Sequence, residues 1–173
     1  MDAQFFLDLH QAFEDQASIF TAAGVQPVAI IDRFRGQPQN PEQFEIFPLP
    51  AIFVQRSAAW TREGKTYKAD WSLIFHTVYD ATWETSSIST NKEEGLKYYT
   101  WLDKVREVLD NFSTAFTGTL FRTEDETIET GVVNYEALGY SCQYYGSTAI
   151  GTQYESHYPD DLKLVKGVKT RNA

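Results

Sequence analysis

The sequence is poor in most of the features that commonly announce a function. Its one cysteine, Cys142, excludes an internal disulfide and suits a chain that folds in a reducing compartment. The one methionine is Met1, which excludes a Met-rich adaptable binding surface. No segment approaches the ~20 apolar residues of a membrane-spanning helix. The opening MDAQFFLDLHQAFEDQ carries acids where a secretory signal needs a basic start and an unbroken apolar run. A soluble, intracellularly made protein without a membrane partner is expected. The body also lacks a basic block, and the net charge is −9, so phosphate-neutralising recognition of DNA is not expected.

Catalytic and ligand motifs are equally scarce. There is no HExxH or CxxC metal signature, no GxGxxG or Walker-type glycine loop, and no GxSxG elbow around Ser57, Ser86, Ser87 or Ser147. His10, His76 and His157 each stand without a second ligand at helical or hairpin spacing and read as ordinary histidines. Cys142, in GYSCQYY, alternates with tyrosines and reads as a small buried side chain with no thiolate-favouring neighbour. No catalytic, metal or cofactor-binding residue is therefore assigned. Glu124, Asp125, Glu126 and Glu129 lack the alternating ligands and turn glycine of a calcium loop. They read as a solvated hairpin connection, or else as a negative patch with a purpose.

What the chain has is pattern and aromatic bulk. Its 173 residues suffice for one domain with a real core, and Phe, Tyr and Trp make up 15% of them. The clearest stretch is YKADWSLIFHTVY, residues 67–79, where Tyr67, Ala69, Trp71, Leu73, Phe75, Thr77 and Tyr79 share one parity. Period two held that long predicts an extended strand with one wetter face, bearing His76, that either crosses the domain or projects as a hairpin arm. Residues 3–23 predict an amphipathic helix on Phe6, Leu9, Phe13, Ala17 and Phe20, stopped at Gly24. Residues 25–34 predict a strand, 35–50 a stiff Pro-rich loop, 51–56 a strand, and 57–65 a turn into the long strand.

After a Ser/Thr-rich loop, Asn91 and Glu94 have capping-box spacing. The helix they open presents Tyr98, Trp101, Leu102, Val105, Val108, Leu109 and Phe112 on one face. A strand at 119–123 and a closing strand from Val132 follow. In the closing strand the apolar parity changes between Tyr135 and Leu138, which predicts a bulge near residues 137–139. The expected fold is α+β: a mixed, mostly antiparallel sheet with a long hairpin and two helices on one face. Residues 1–145 form the domain and 146–173 an extension or arm. Aromatics outside the regular segments, Trp60, Trp83, Tyr154 and Tyr158, suit a subunit interface.

The order of elements, through FPLPAIFVQ, YKADWSLIFHTVYD, EEGLKYYTWLDKVREVLDNF, GTLFRTEDE and VVNYEALGYSCQYY, resembles the tail terminator (tail completion) proteins of tailed bacteriophages. The likeness covers about residues 1–145 and is one of layout, without a diagnostic motif. It implies a virion protein of the tail or neck, assembled in the bacterial host cytoplasm. Its partners would be its own copies in a ring, commonly six, the tail tube protein and the head–tail connector. DNA would pass through an acidic lumen without specific binding. Interface residues expected on this reading are Arg122, Glu124, Asp125, Glu126 and Glu129, Trp60 and Trp83, and the basic arm Lys163, Lys166, Lys169 and Arg171.

Three other readings stay open at this point. One is a head-completion or connector protein of the neck. Another is a ligand-binding module with a pocket lined by Trp71, Phe75, Tyr98 and Trp101. The last is a small hydrolase pairing His76 with a carboxylate. On the ring reading the basic arm reaches an acidic neighbour and orders on contact. Replacing its four basic residues with Ala is then expected to weaken docking of ring on tube, and unchanged assembly at physiological salt would count against that role.

Overall fold

The alternation of residues 67–79 becomes the central strand of a five-stranded sheet. A computed structural model describes residues 3–40, 47–63, 66–80, 88–128 and 133–144. Helices α1 (Ala3–Asp15) and α2 (Ala17–Ala22) precede strands β1 (Ile30–Arg33), β2 (Ala51–Glu63) and β3 (Thr66–Tyr79). Helix α3 (Lys92–Asp110) and strands β4 (Phe121–Thr127) and β5 (Asn134–Tyr144) complete the order. The sheet runs β1-β2-β3-β5-β4, with β1 parallel to β2 and every other pair antiparallel. The fold is α+β, as expected.

All helices lie on one face. Their apolar stripe meets Ile52 and Val54 of β2, the odd residues Ala69 to Phe75 of β3, and Leu138, Tyr140, Cys142 and Tyr144 of β5. The α3 face read from the sequence is the buried one, from Tyr98 to Phe112. In α1 the expected Leu9 and Phe13 are buried, as is Phe20 of α2, while Phe5 replaces Phe6 at the start of the stripe and leaves Phe6 half-buried. The single helix expected over 3–23 turns at Gln16 into two, with the Phe13 and Phe20 rings 6.3 Å apart. Gly24 does end α2: its φ of +74° and the Val25 N–H bond to the Phe20 carbonyl form a Schellman-type stop.

The opposite face carries a second, smaller core of Ala51, Phe53, Val78 and Tyr135, covered by Ile30, Phe34, Phe47, Leu49, Ile128 and Val133. This second core explains the parity change in β5. The β3–β5 register runs unbroken from Ala69↔Tyr144 to Tyr79↔Asn134, so the expected bulge in β5 is absent. Residues 135–140 are instead buried on both faces. The irregularity lies in the partner strand, between Arg122 and Glu124 of β4. Gly139 accommodates it: a Cβ there would stand 2.7 Å from Glu124 Cγ, 2.8 Å from Thr123 Oγ1 and 3.1 Å from the Glu124 carbonyl oxygen.

Four other boundaries differ from expectation. β1 is four residues long and not ten, because Val25 is taken by the α2 cap and Pro27 offers no donor. The segment after it folds back at once: Gly36 (φ +95°) opens a turn that the buried Gln37 ties to Arg35 N–H and the Arg33 carbonyl. Strand β2 continues to Glu63 through the stretch expected to turn. The Asn91–Glu94 capping box does not form, since the Glu94 carboxylate pairs with Lys97 (2.8 Å) and Asn91 makes no side-chain cap bond.

Gly139→Ala is expected to destabilise the domain by about 1–3 kcal/mol through overpacking against the bulge. The urea midpoint reads this directly, and an unmoved midpoint would show that β4 yields freely.

Candidate functional site

The residues expected to meet partners fall in two places. Trp60 lies on the outer half of β2, 52% exposed, opposite Ala69 of β3, with its ring edge-on to Tyr144 at 6.1 Å. On the same sheet face are Arg56, whose guanidinium lies 4.6 Å over the Trp71 ring, and Arg62, 6.0 Å over the exposed Tyr67 ring. β1 pairs with β2 only over Ala51–Val54. From Gln55 outward, the other side of β2 has no sheet partner among the described residues. Among the described residues the outer end of the hairpin, 61–63 against 66–68, pairs with no third strand. The long ribbon crosses the domain.

The acidic residues occupy the opposite edge. Residues 124–127 belong to β4 and are not a loop, so neither the solvated connection nor a calcium loop describes them. Pairing of Glu126 with Ala137, next to His76 and Phe53, places it seven residues along the ribbon from Trp60, about 24 Å. The two groups do not form one site. Every residue of β4 is exposed, and its charges and bulge suit an edge strand that resists unplanned pairing. Glu129, Trp83, Lys163, Lys166, Lys169 and Arg171 lie outside the described residues, as do Tyr154 and Tyr158.

Two of the expected interface residues are fastened to α3. Arg106 holds Asp125 (2.8 Å), Glu136 (3.0 Å) and Asp103 (3.2 Å), and Tyr98 donates its hydroxyl to Glu136 at 3.1 Å. One turn further on, Asp110 accepts from Arg122 (2.7 Å) and from the Tyr140 hydroxyl (2.9 Å). Burial first, and then the neighbouring carboxylates, hold the Tyr98 and Tyr140 phenols well above their usual range. This polar seam was not legible in the sequence. Glu136 sits inside an apolar strand and Arg106 on the charged face of α3, and nothing local pairs them. A cation meeting several carboxylates, partly out of water, is costly to break from one side.

His76 was expected on the wetter face and is in fact buried there, because Phe34 stacks on its ring at 3.7 Å. Its Nε2–H donates to Gln55 Oε1 (3.0 Å), which leaves Nδ1 to accept from the Tyr135 hydroxyl (2.5 Å). No carboxylate stands at either nitrogen, so the dyad required by the hydrolase reading does not form here. Burial lowers the His76 pKa to about 4 and pushes the Cys142 thiol up to about 11. The residues proposed to line a ligand pocket are buried against neighbouring rings. Trp71 stacks on Tyr144 at 4.3 Å, Phe75 meets Tyr140 edge-on at 5.6 Å, and Trp101 packs on Tyr79 at 5.3 Å. Among the described residues no group of three or more His, Cys, Asp or Glu is placed to hold a metal ion.

No protein-family model matches the chain, and no curated protein matches it. Among solved structures, a chain from the virion of a native gene transfer agent particle is loosely similar. The TM-score is 0.45 at 13% identity, over 79% of this chain and 91% of that one.

The imidazole of His76 titrates near 6.5 when unfolded and near 4 in the fold, so the unfolded state binds the proton first as pH falls. The resulting stabilisation, roughly 3 kcal/mol, is complete above pH 6.5 and declines between pH 6.5 and 4. Chemical denaturation across that window is expected to show the decline in the native chain and to lose this component in His76→Gln; parallel curves would contradict the assignment.

Proposed function

We propose that this chain is a structural protein of a tailed-phage or phage-like virion that assembles as a ring closing the end of the tail tube. The observation that carries the reading is the outer β2–β3 ribbon. It presents Trp60 and Tyr67 to solvent beside Arg56 and Arg62, on a domain whose large aromatic core is filled by its own side chains. Exposed aromatic and Arg side chains on a rigid strand pair favour a protein partner, because they bring large contact area with little ordering cost. Among the described residues no strand pairs with the outer side of β2 over residues 55–61, an edge that a neighbouring subunit or the tube can complete. The sequence resemblance supplies the station. The acidic composition supports a lumen through which DNA moves without binding phosphates. A place in the neck, as a head-completion protein, uses the same ribbon with a different partner.

The test is the mass of the purified protein alone and after mixing with the tube protein of the same virion, with electron microscopy of the tube ends. A ring at the tube end and tubes of limited length are expected. Trp60→Ser with Tyr67→Ser is expected to leave the monomer folded, since both side chains are exposed, and to reduce ring formation at least tenfold, about 1.4 kcal/mol. Tubes that grow unchecked with no bound native chain would remove the proposal.

A further inference from the structure

A groove of about 490 Å³ runs between α1, the start of α2 and the C-terminal end of α3. Ala12, Ile19, Val108 and Phe112 give it an apolar floor, and Asp8, Asp15 and Glu107 stand at its rim. Glu107 is paired with Lys104 (2.7 Å). Asp8 and Asp15 instead accept hydrogen bonds from neutral amides, those of Gln4 (2.7 Å) and Gln11 (2.8 Å). Among the described residues neither has a cationic partner, whereas Asp32, Asp103, Asp110 and Asp125 all do. The groove thus offers an apolar floor with two uncompensated carboxylates one above the other on a helix.

The last described residue, Tyr144, is buried three ring contacts from Phe112 of the groove floor, Tyr144–Trp71 (4.3 Å), Trp71–Phe5 (5.4 Å) and Phe5–Phe112 (5.6 Å). Thr117 bridges to it, and Gly118 N–H bonds to the Gln143 carbonyl (3.1 Å). Beyond it the chain continues to Ala173 and contains LKLVKGVKTR, residues 162–171, in which Leu and Val alternate with Lys163, Lys166, Lys169 and Arg171. A random coil as long as the intervening stretch 145–161 would span about 20–25 Å on average, more than the ring-to-ring path from Tyr144 to Phe112.

We infer that the basic segment 162–171 docks in the α1–α3 groove of its own chain, its Leu and Val side chains on the floor and its cations on Asp8 and Asp15. Apolar contact and charge complementarity act together, and tethering keeps the segment at high local concentration. The arm then has an acidic partner within the subunit, where the sequence reading looked to a neighbouring one.

The experiment compares amide NMR spectra of the full-length native chain with those of a full-length variant carrying Lys163→Ala, Lys166→Ala, Lys169→Ala and Arg171→Ala. Shifts confined to Asp8, Gln11, Asp15, Asn111 and Ser113 are expected. They should be independent of protein concentration and largely lost at ~0.5 M salt, where screening acts over about 4 Å. Asp8→Asn with Asp15→Asn, which keeps the shape of the rim, is expected to reproduce those shifts and to release the segment's own signals. Absent shifts, or shifts elsewhere, overturn the assignment. Shifts that grow with protein concentration would place the segment on a second copy and overturn docking within the chain. Tube binding is not part of this readout, so its outcome is separate from that of the ring proposal.

Discussion

The structure depends on one uninterrupted antiparallel register through β2, β3 and β5. Strand β3 is paired on both sides from Ala69 to Val78, so it has no free edge over that length. Its odd residues meet the helices, and at its lower end His76 and Val78 meet the second core. Because side chains alternate strictly, a slip of one residue would exchange the two environments at every position. Trp71 would leave its stack on Tyr144 and the Tyr135–His76 pair would face α3. The two cores thus hold the register from opposite sides, which fixes the base of the ribbon.

Polar groups fix what apolar packing leaves free. The helices meet the sheet through large rings that can settle in more than one way, but Arg106 and Asp110 each join α3 to both β4 and β5 with directed bonds. That seam sets the rotation of α3 and anchors the edge strand, whose side chains are all exposed. On the opposite face Phe34, Gln55 and Tyr135 enclose His76 with both ring nitrogens satisfied. A buried imidazole so enclosed is a packing group that fixes Phe34, and with it the chain leaving β1, against the sheet.

The functional reading follows from how these two devices divide the surface. The acidic edge is partly consumed in holding α3, as Asp125 and Arg122 show, while Glu124 and Glu126 remain on the far face. Beyond Ala69 the ribbon carries its own ion pair, Lys68–Glu63 (2.7 Å), away from that seam. Trp60 and Tyr67 stand at its surface, 52% and 43% exposed, with Trp60 edge-on to Tyr144 and Arg62 over the Tyr67 ring. Aromatic enrichment has two sources here: most rings complete the core, and a few face outward from a rigid base.

Much of the fold was written in local periodicity. The alternation of 67–79, the apolar face of α3, the hairpin between β2 and β3 and the stop at Gly24 each depend on residues within a turn or a strand length, so the linear order suffices to reveal them. The rest depended on segments arriving from far along the chain. Only the arrival of Phe34 turns the wetter face at His76 into a second core, and that core makes a bulge unnecessary for the parity change in β5. Only the presence of β5 makes a strand of residues 124–127, whose acidic composition alone speaks against one. Gln16 carries neither proline nor glycine to mark the turn between α1 and α2, so nothing in its own neighbourhood discloses the break. Short-range pattern records which groups must leave water; the packed molecule decides what each of them leaves it for.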